Sequence, residues 1–458
     1  LQNQNKDQKG FLTLEIVMCL ALASLFFFGT AALVLSNQDM QVDSQNDAYA
    51  LKISQAGMET AMVAGFNFAP PPDAVDGNFT EHLQTNWLTG YAKEITSRVS
   101  FVSSGRPRQT ELNSLVTDSA NALGRDTCAL GFSGSWQNPK LRGAVSNPQG
   151  SPSTDVDVNN NRAYVAVNGD GNLDDFFVVD VSNLDHPVIL NSITTGPGLN
   201  AVQIAGDYAF AANSSVKGQL EIIKISDPAH PVLVQHAEFA DAAAEGVGTS
   251  IYYYNGRVYV GTAKNDGPEF YIYDVSNPLA PQFLGEFEIG SQVNKIYVYG
   301  TYAYLATGDI NRLRILDVSN PGAIKEVGDF SDVGGTAQSG ESVAVLGGQT
   351  VFGRAGGLPG AHIPELYLLD VNHPSAIGKL DAADINMSVN DIFLRGGLAF
   401  LATNKSGAQF EVYNYSSGRL NFLASAALPS DAVGLDCDGE NFFVAQNGSQ
   451  ILQIISAQ

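Results

Sequence analysis

A mainly β fold is what this sequence predicts: a seven-bladed β-propeller preceded by a long N-terminal α-helix and a small α/β head. Three observations carry that expectation. From residue 136 onward a unit of apolar strands recurs, and one position in each unit can be followed through Tyr164, Phe210, Tyr259, Tyr304, Val351, Phe400 and Phe442, spaced by 46, 49, 45, 47, 49 and 42 residues. Four short strands per 40–50 residues is the period of a propeller blade. Ahead of these units, Ile16 to Leu35 holds twenty residues without a charge. Between the two lies a stretch with helix-like and then strand-like patterning.

The N-terminal run comes first. Twenty uncharged residues suffice to cross a bilayer core as one helix. Lys6 and Lys9 form a basic flank of the kind that stays cytoplasmic, and Glu15 stands at the mouth of the run, where a carboxylate needs a partner in lipid. Gly10-Phe11-Leu12-Thr13-Leu14-Glu15 resembles the processing site of type IV pilins and pseudopilins. The resemblance covers roughly the first sixty residues. It implies cleavage by a prepilin peptidase between Gly10 and Phe11, leaving residues 1–10 as a leader, and methylation of the new N-terminus. It also implies that Glu15 pairs with the terminal ammonium of a neighbouring pilin or pseudopilin subunit as the helix leaves the inner membrane. Two opposite charges in low dielectric offset each other's desolvation only when geometry joins them. A secretory signal peptide has a shorter apolar region followed by a small-residue cleavage site. A plain anchor needs neither Glu15 nor the Gly-Phe junction.

Residues 36 to about 65 turn polar but stay compatible with helix, with Ala48, Leu51, Ile53, Ala56, Met58 and Met62 as a loose apolar stripe. The helix is expected over 11–69, ended by Pro70-Pro71-Pro72. Residues 70–135 are expected to form a small hairpin-containing head or linker. In it Ile95–Phe101 alternates like a strand, Ser104-Gly105-Arg106-Pro107 turns, and Glu111–Val116 returns. One hairpin is marginal alone and must lean on the helix.

In the propeller, expected over 136–458, each unit opens with two strands about a Gly/Asn turn, as in AVQIAGDYAFAAN and KIYVYGTYAYLATG. A third strand ends in Asp-Val-Ser-Asn-Pro or a relative, and a fourth follows. Asp and Asn side chains bond back to the backbone in such turns, and Pro pre-sets φ. The seventh unit stops after three strands. Residues 139–145 match the fourth-strand pattern and are expected to complete it, closing the ring and protecting its edges. These units resemble LVIVD-type propeller repeats. That implies the fold and leaves the function open, because propellers host unrelated activities.

Lys+Arg 24 against Asp+Glu 47 gives a net charge of −23. Such a surface repels nucleic acid, so no nucleic-acid role is expected. Cys128 and Cys437 are the only cysteines beyond the apolar run. Outside the cytoplasm they either pair, tying the head to the weakest point of the ring, or remain two unbonded thiols.

No cofactor, metal site or enzyme signature is expected. Gly-x-Ser-x-Gly, His-Glu-x-x-His and a phosphate loop are absent from the sequence. Asn168–Asp175 has calcium-loop composition but lacks the required glycine, with Leu173 at the sixth place, and reads as a hairpin tip. Asp180, Asp274, Asp317 and Asp370 recur once per unit and read as turn residues. His186, His230 and His373 each precede a proline and read the same way. One candidate binding face remains. Loops between successive units carry Asp241, Glu245, Asp332, Glu341, Asp381, Asp384 and Asp431, beside a long Gly-rich insertion at 353–362. The expected function is a minor or tip subunit of a type IV pilus or secretion pseudopilus. It would sit in the membrane by one helix, with an extracytoplasmic propeller for adhesion or for an unknown surface partner. The alternatives are a monomeric anchored receptor and an anchored hydrolase or lyase.

Overall fold

The computed structural model describes residues 38–64, 70–89, 92–103, 105–117, 127–128, 132, 134–237, 239, 246–308, 313–331, 338–356 and 363–458. Gly10, Phe11, Glu15 and the apolar run lie outside them. Among the described residues no helix is long and apolar enough to cross a membrane. Two compact units emerge, Leu1–Asn86 with Glu94–Val116, and Trp87–Lys93 with Thr117–Gln458.

In the first unit, helix α1 (Gln38–Ala64) accompanies a four-stranded antiparallel sheet. Its strands, in spatial order, are β1 (Ala74–Asp76), β2 (Phe79–Thr89), β3 (Ala92–Ser103) and β4 (Arg106–Thr117). The expected hairpin is therefore half of a larger sheet. Ala50, Ile53, Met58 and Ala61 of α1 pack on Phe79, Leu83, Ile95, Val99, Phe101 and Val116. Apolar residues spaced three to five apart on α1 thus meet alternating residues of the strands. One polar chain crosses this core: Ser54 Oγ donates to Ser97 Oγ (2.8 Å), and Ser97 Oγ donates to Glu81 Oε1 (2.8 Å). Gly57 makes room for it, since a Cβ there would lie 2.0 Å from Glu81 Oε1. Arg108 of β4 reaches Asp43 and Asp47 of α1 at 2.5 and 2.9 Å.

Among its described residues the second unit holds seven sheets in chain order, antiparallel apart from one short strand in the last. Sheets one to six begin with the strands Ser153–Asn159, Leu199–Ala205, Gly248–Tyr254, Val293–Tyr299, Gly340–Leu346 and Val389–Arg395. Sheet seven is built on Asp431–Gly439, Asn441–Asn447 and Gln450–Ser456. Each first strand lies against the next, and the seventh lies against the first, so these inner strands form a closed ring. The recurrent sequence position falls in the second strand of every sheet, and all seven residues are buried, Val351 included. Apolar bulk is what this position requires, and valine supplies it as the aromatics do.

The turn reading of the repeated aspartates is visible atom by atom. Asp180, Asp274, Asp317 and Asp370 each accept through Oδ1 from the backbone N–H two residues on, at 2.9, 2.8, 3.0 and 3.0 Å. A second recurrent tie escaped the sequence reading. Asp175, Gln219, Glu269, Glu365 and Gln409, each buried at the entry to a third strand, accept from backbone N–H groups about one strand pair later: Thr195, Phe239, Ile289, Ile385 and Leu428. Each fastens the connection leaving its own sheet. The mixture of Asp, Glu and Gln hides the pattern from inspection, because what recurs is an acceptor and not a residue.

Sheet seven has five strands. Strand β6 (Lys140–Ser146) runs antiparallel to Gln450–Ser456, with Leu452 opposite Val145 and Ile455 opposite Leu141. Strand β5 (Thr127–Cys128) runs parallel to the inner strand, with Gly439 opposite Cys128. Cys128 and Cys437 are joined by a disulfide, their Cα atoms 5.0 Å apart. Trp136 packs edge-on against Phe400 and Phe442 at 4.9 and 5.3 Å. These contacts group the described residues of 117–135, the end of the stretch expected as head or linker, with the propeller unit. The disulfide therefore lies within the propeller.

Candidate functional site

Of the seven acids expected on a loop face, four are among the described residues. Asp241, Glu245 and Asp332, with residues 357–362 of the insertion, lie outside the described residues. Glu341 stands in the strand Gly340–Leu346, bonded to Ser339 Oγ, with burial raising its carboxyl pKa. Asp381 belongs to the strand Gly378–Ala383 and accepts from Leu420 N–H at 2.8 Å. Asp384 caps its own turn by accepting from Asn386 N–H, and Asp431 opens the inner strand of sheet seven. Gly353 and Arg354 end a strand. Arg354 is buried, donating to Tyr367 Oη at 2.9 Å and to Gln338 Oε1 at 2.8 Å. Patterning alone could not separate loop acids from acids at strand ends. In the calcium-like tip, Asp174 is taken by Ser192 and Thr194, and Asp175 by the Thr195 and Gly196 N–H groups.

The structure gathers polar chemistry elsewhere, in the central channel. The inner strands of sheets one to six shift register at their second residue, and that of sheet seven at its third, Val433, so a bulge repeats around the ring. A bulge re-aims the side chain it carries. Here that side chain reaches the next strand. Thr154, Asn200, Thr249, Asn294 and Asn390 donate to the carbonyls of Leu199, Gly248, Val293, Gly340 and Ala432 at 2.6, 2.6, 2.6, 2.7 and 2.7 Å.

Beyond the bulge, alternate residues line the channel. Third positions supply Asp155, Lys295 and Asp391. Fifth positions supply Asp157, Gln203, Tyr252, Tyr297 and Phe393, and the sixth position of the sheet-seven strand, whose bulge lies one residue further along, supplies Asp436. The acids also bind the sheets together. Asp155 and Asp157 accept from Val202 and Ile204 N–H at 3.0 and 2.9 Å. Asp391 accepts from Leu435 N–H at 3.0 Å, and Asp436 from Val158 N–H at 2.6 Å. Gln203 does the same for Tyr253 N–H at 2.7 Å.

Lys295 crosses from sheet four to sheet six, its Nζ 2.8 Å from Asp391 Oδ1. Burial works against its ammonium, but Asp391 and Asp155 outweigh that and hold its pKa well above the usual lysine range. Asp155 is pushed up to about 6, chiefly by burial, with Lys295 opposing. The cavity that these residues enclose measures about 230 Å³. Its carboxylates stand on sheets six, seven and one, and Tyr252 and Tyr297 on sheets three and four, ring centroids 4.9 Å apart. None of these channel residues was picked out from the sequence. A faint signal existed: Asp or Lys at alternate positions inside otherwise apolar first strands.

Comparisons with known proteins agree with this architecture. Residues 150–195, 200–237 and 290–332 match the LVIVD repeat. No curated protein matches the chain. Among solved structures, the chain resembles U3-55K at 10% identity, with a TM-score of 0.54 over 71% of this chain and 100% of that one. It resembles the WD40 β-propeller domain of Doa1 at 12% identity, TM-score 0.51, over 70% and 97%. It also resembles the β-propeller domain of Cps50 (Swd1) from Myceliophteria thermophila at 9% identity, TM-score 0.50, over 70% and 100%. At such identities the likeness speaks for the fold alone.

Proposed function

We propose that this β-propeller protein with LVIVD repeats is a pilin-like subunit that displays a seven-bladed propeller on a type IV pilus or secretion pseudopilus. The observation that carries the reading is the order Gly10-Phe11, Glu15 and an uncharged run from Ile16 to Leu35. Helix α1 lends support, since it follows that run and lays its apolar stripe on an antiparallel sheet. Such a unit suits a membrane helix that continues into a globular head. The propeller is then the displayed module, engaged in adhesion or in binding a surface partner. Its bulk favours a minor or tip position over the shaft, where large heads crowd lateral packing.

Processing tests the reading. Protein taken from native membranes should begin at methylated Phe11, and Gly10→Val should leave the leader attached. Mass spectrometry of the N-terminal peptide decides the matter. An uncut leader on mature surface protein overturns the proposal.

A further inference from the structure

We propose that the central channel of the propeller binds a small alkylammonium cation, seated between Asp157 and Asp436 on one side and Tyr252, Tyr297 and Phe393 on the other. The inference goes beyond the pilin-like reading and stands whether or not the chain polymerises.

The argument starts from the ring order. Sheets seven and one are neighbours, and sheets three and four lie across the channel from them. Asp157 and Asp436, equally far past the bulges of their inner strands, therefore stand as two adjacent carboxylates opposite Tyr252 and Tyr297, with Phe393 of sheet six closing the side. An aromatic face attracts a cation through its quadrupole, and the attraction grows when water is displaced. Carboxylates opposite that face add charge without filling the cavity. The lining carries Asp155, Asp157, Asp391 and Asp436 against Lys295 and Arg395, so the space disfavours anions. Arg395 places its guanidinium carbon 5.6 Å from the Phe393 centroid, a cation–aromatic contact within the lining itself.

Three features narrow the class. The aromatic half offers few oxygen ligands, and among the described residues no group of three His, Cys, Asp or Glu could hold a metal ion. An organic cation fits such a wall better than a hard ion does. A cavity of about 230 Å³ is smaller than a drug-sized pocket, so the ligand is a short one. Lys295 keeps 28% of its side chain exposed, so solvent reaches the third-position layer beside the site.

Choline is the probe, and its neutral carbon isostere 3,3-dimethylbutan-1-ol is the control. The full chain in maltoside micelles is titrated with each by calorimetry, with saturation-transfer NMR as a second readout. Choline should bind, and the isostere should bind about tenfold more weakly. Asp436→Asn keeps the acceptor for Val158 N–H but removes the charge, and Phe393→Leu keeps bulk but removes the ring. Each should weaken choline about tenfold. If Asp436→Asn does not fold, Phe393→Leu and the isostere decide between them. No choline binding at about 10 mM, equal binding of the isostere, or wild-type affinity in the folded variants overturns the inference.

Discussion

Asp155 is an acid whose charge the fold opposes. Its folded pKa, about 6, lies above the ordinary value of 3.8, so the folded chain holds this proton more tightly than the unfolded chain does. Stability attributable to the group is therefore highest below about pH 4 and declines as pH rises through 6. Asp155→Asn keeps an acceptor for Val202 N–H and removes the ionisation. It should add roughly 2–3 kcal/mol at pH 8 and almost nothing at pH 4. Glu221 and Asp175 are also raised by burial, to about 7 and about 6, so the informative quantity is the difference between wild-type and variant urea melts across that range. Lys295 works in the opposite direction. Lys295→Met strips the ammonium from Asp391, whose side chain is only 4% exposed, and should cost about 3–5 kcal/mol. Lys295→Met with Asp391→Asn should recover most of that loss. A double variant no more stable than the single one would show that the pair is not the source of the effect.

At the scale of elements, the ring is held by repeated small devices and one covalent one. The bulged inner-strand residues and the buried acceptors before the third strands recur from sheet to sheet, while the closing sheet carries β5, β6 and the disulfide. The chain must bring residues far apart in sequence together there, 309 positions in the case of the two cysteines. A cross-link over so long a loop restricts the unfolded chain by up to roughly 5 kcal/mol. Cys437→Ser should lower stability by about 2–5 kcal/mol, and adding Cys128→Ser should lower it little further. Differential scanning calorimetry checks both. The turn aspartates are worth less each: Asp317→Ala should cost about 1 kcal/mol through the lost bond to Ser319 N–H, and Asp317→Asn close to nothing. Chemical denaturation of the two variants separates a turn residue from a ligand-binding one.

The whole molecule joins a helix-and-sheet unit to a propeller unit, each with its own core. Under the pilin-like reading, Glu15 matters only when subunits meet. Glu15→Val should leave membrane insertion intact, since the run behind it stays apolar, yet impair incorporation into filaments. Membrane fractionation and immunogold labelling of sheared filaments give the two readouts. Normal incorporation of the variant would remove the role given to Glu15.

How much was legible from residues alone follows from what repeats. Periodic apolar strands, the Asp turns and the fourth-strand likeness of residues 139–145 are local patterns, and the β-rich repeat fold and closing strand could be read from them. Pairing of Cys128 with Cys437 was left open, because sequence does not fix a Cα separation. The head appeared as one hairpin because β1 and β2 carry little alternation. The channel was invisible. Asp157, Tyr252, Phe393 and Asp436 stand in four different units, and nothing local links a tyrosine near one end of the repeat array to an aspartate near the other. Only closure of the ring brings inner strands face to face across an axis. Burial then decides which acids are raised, which lysine is held charged, and which aromatic rings share a cavity with them.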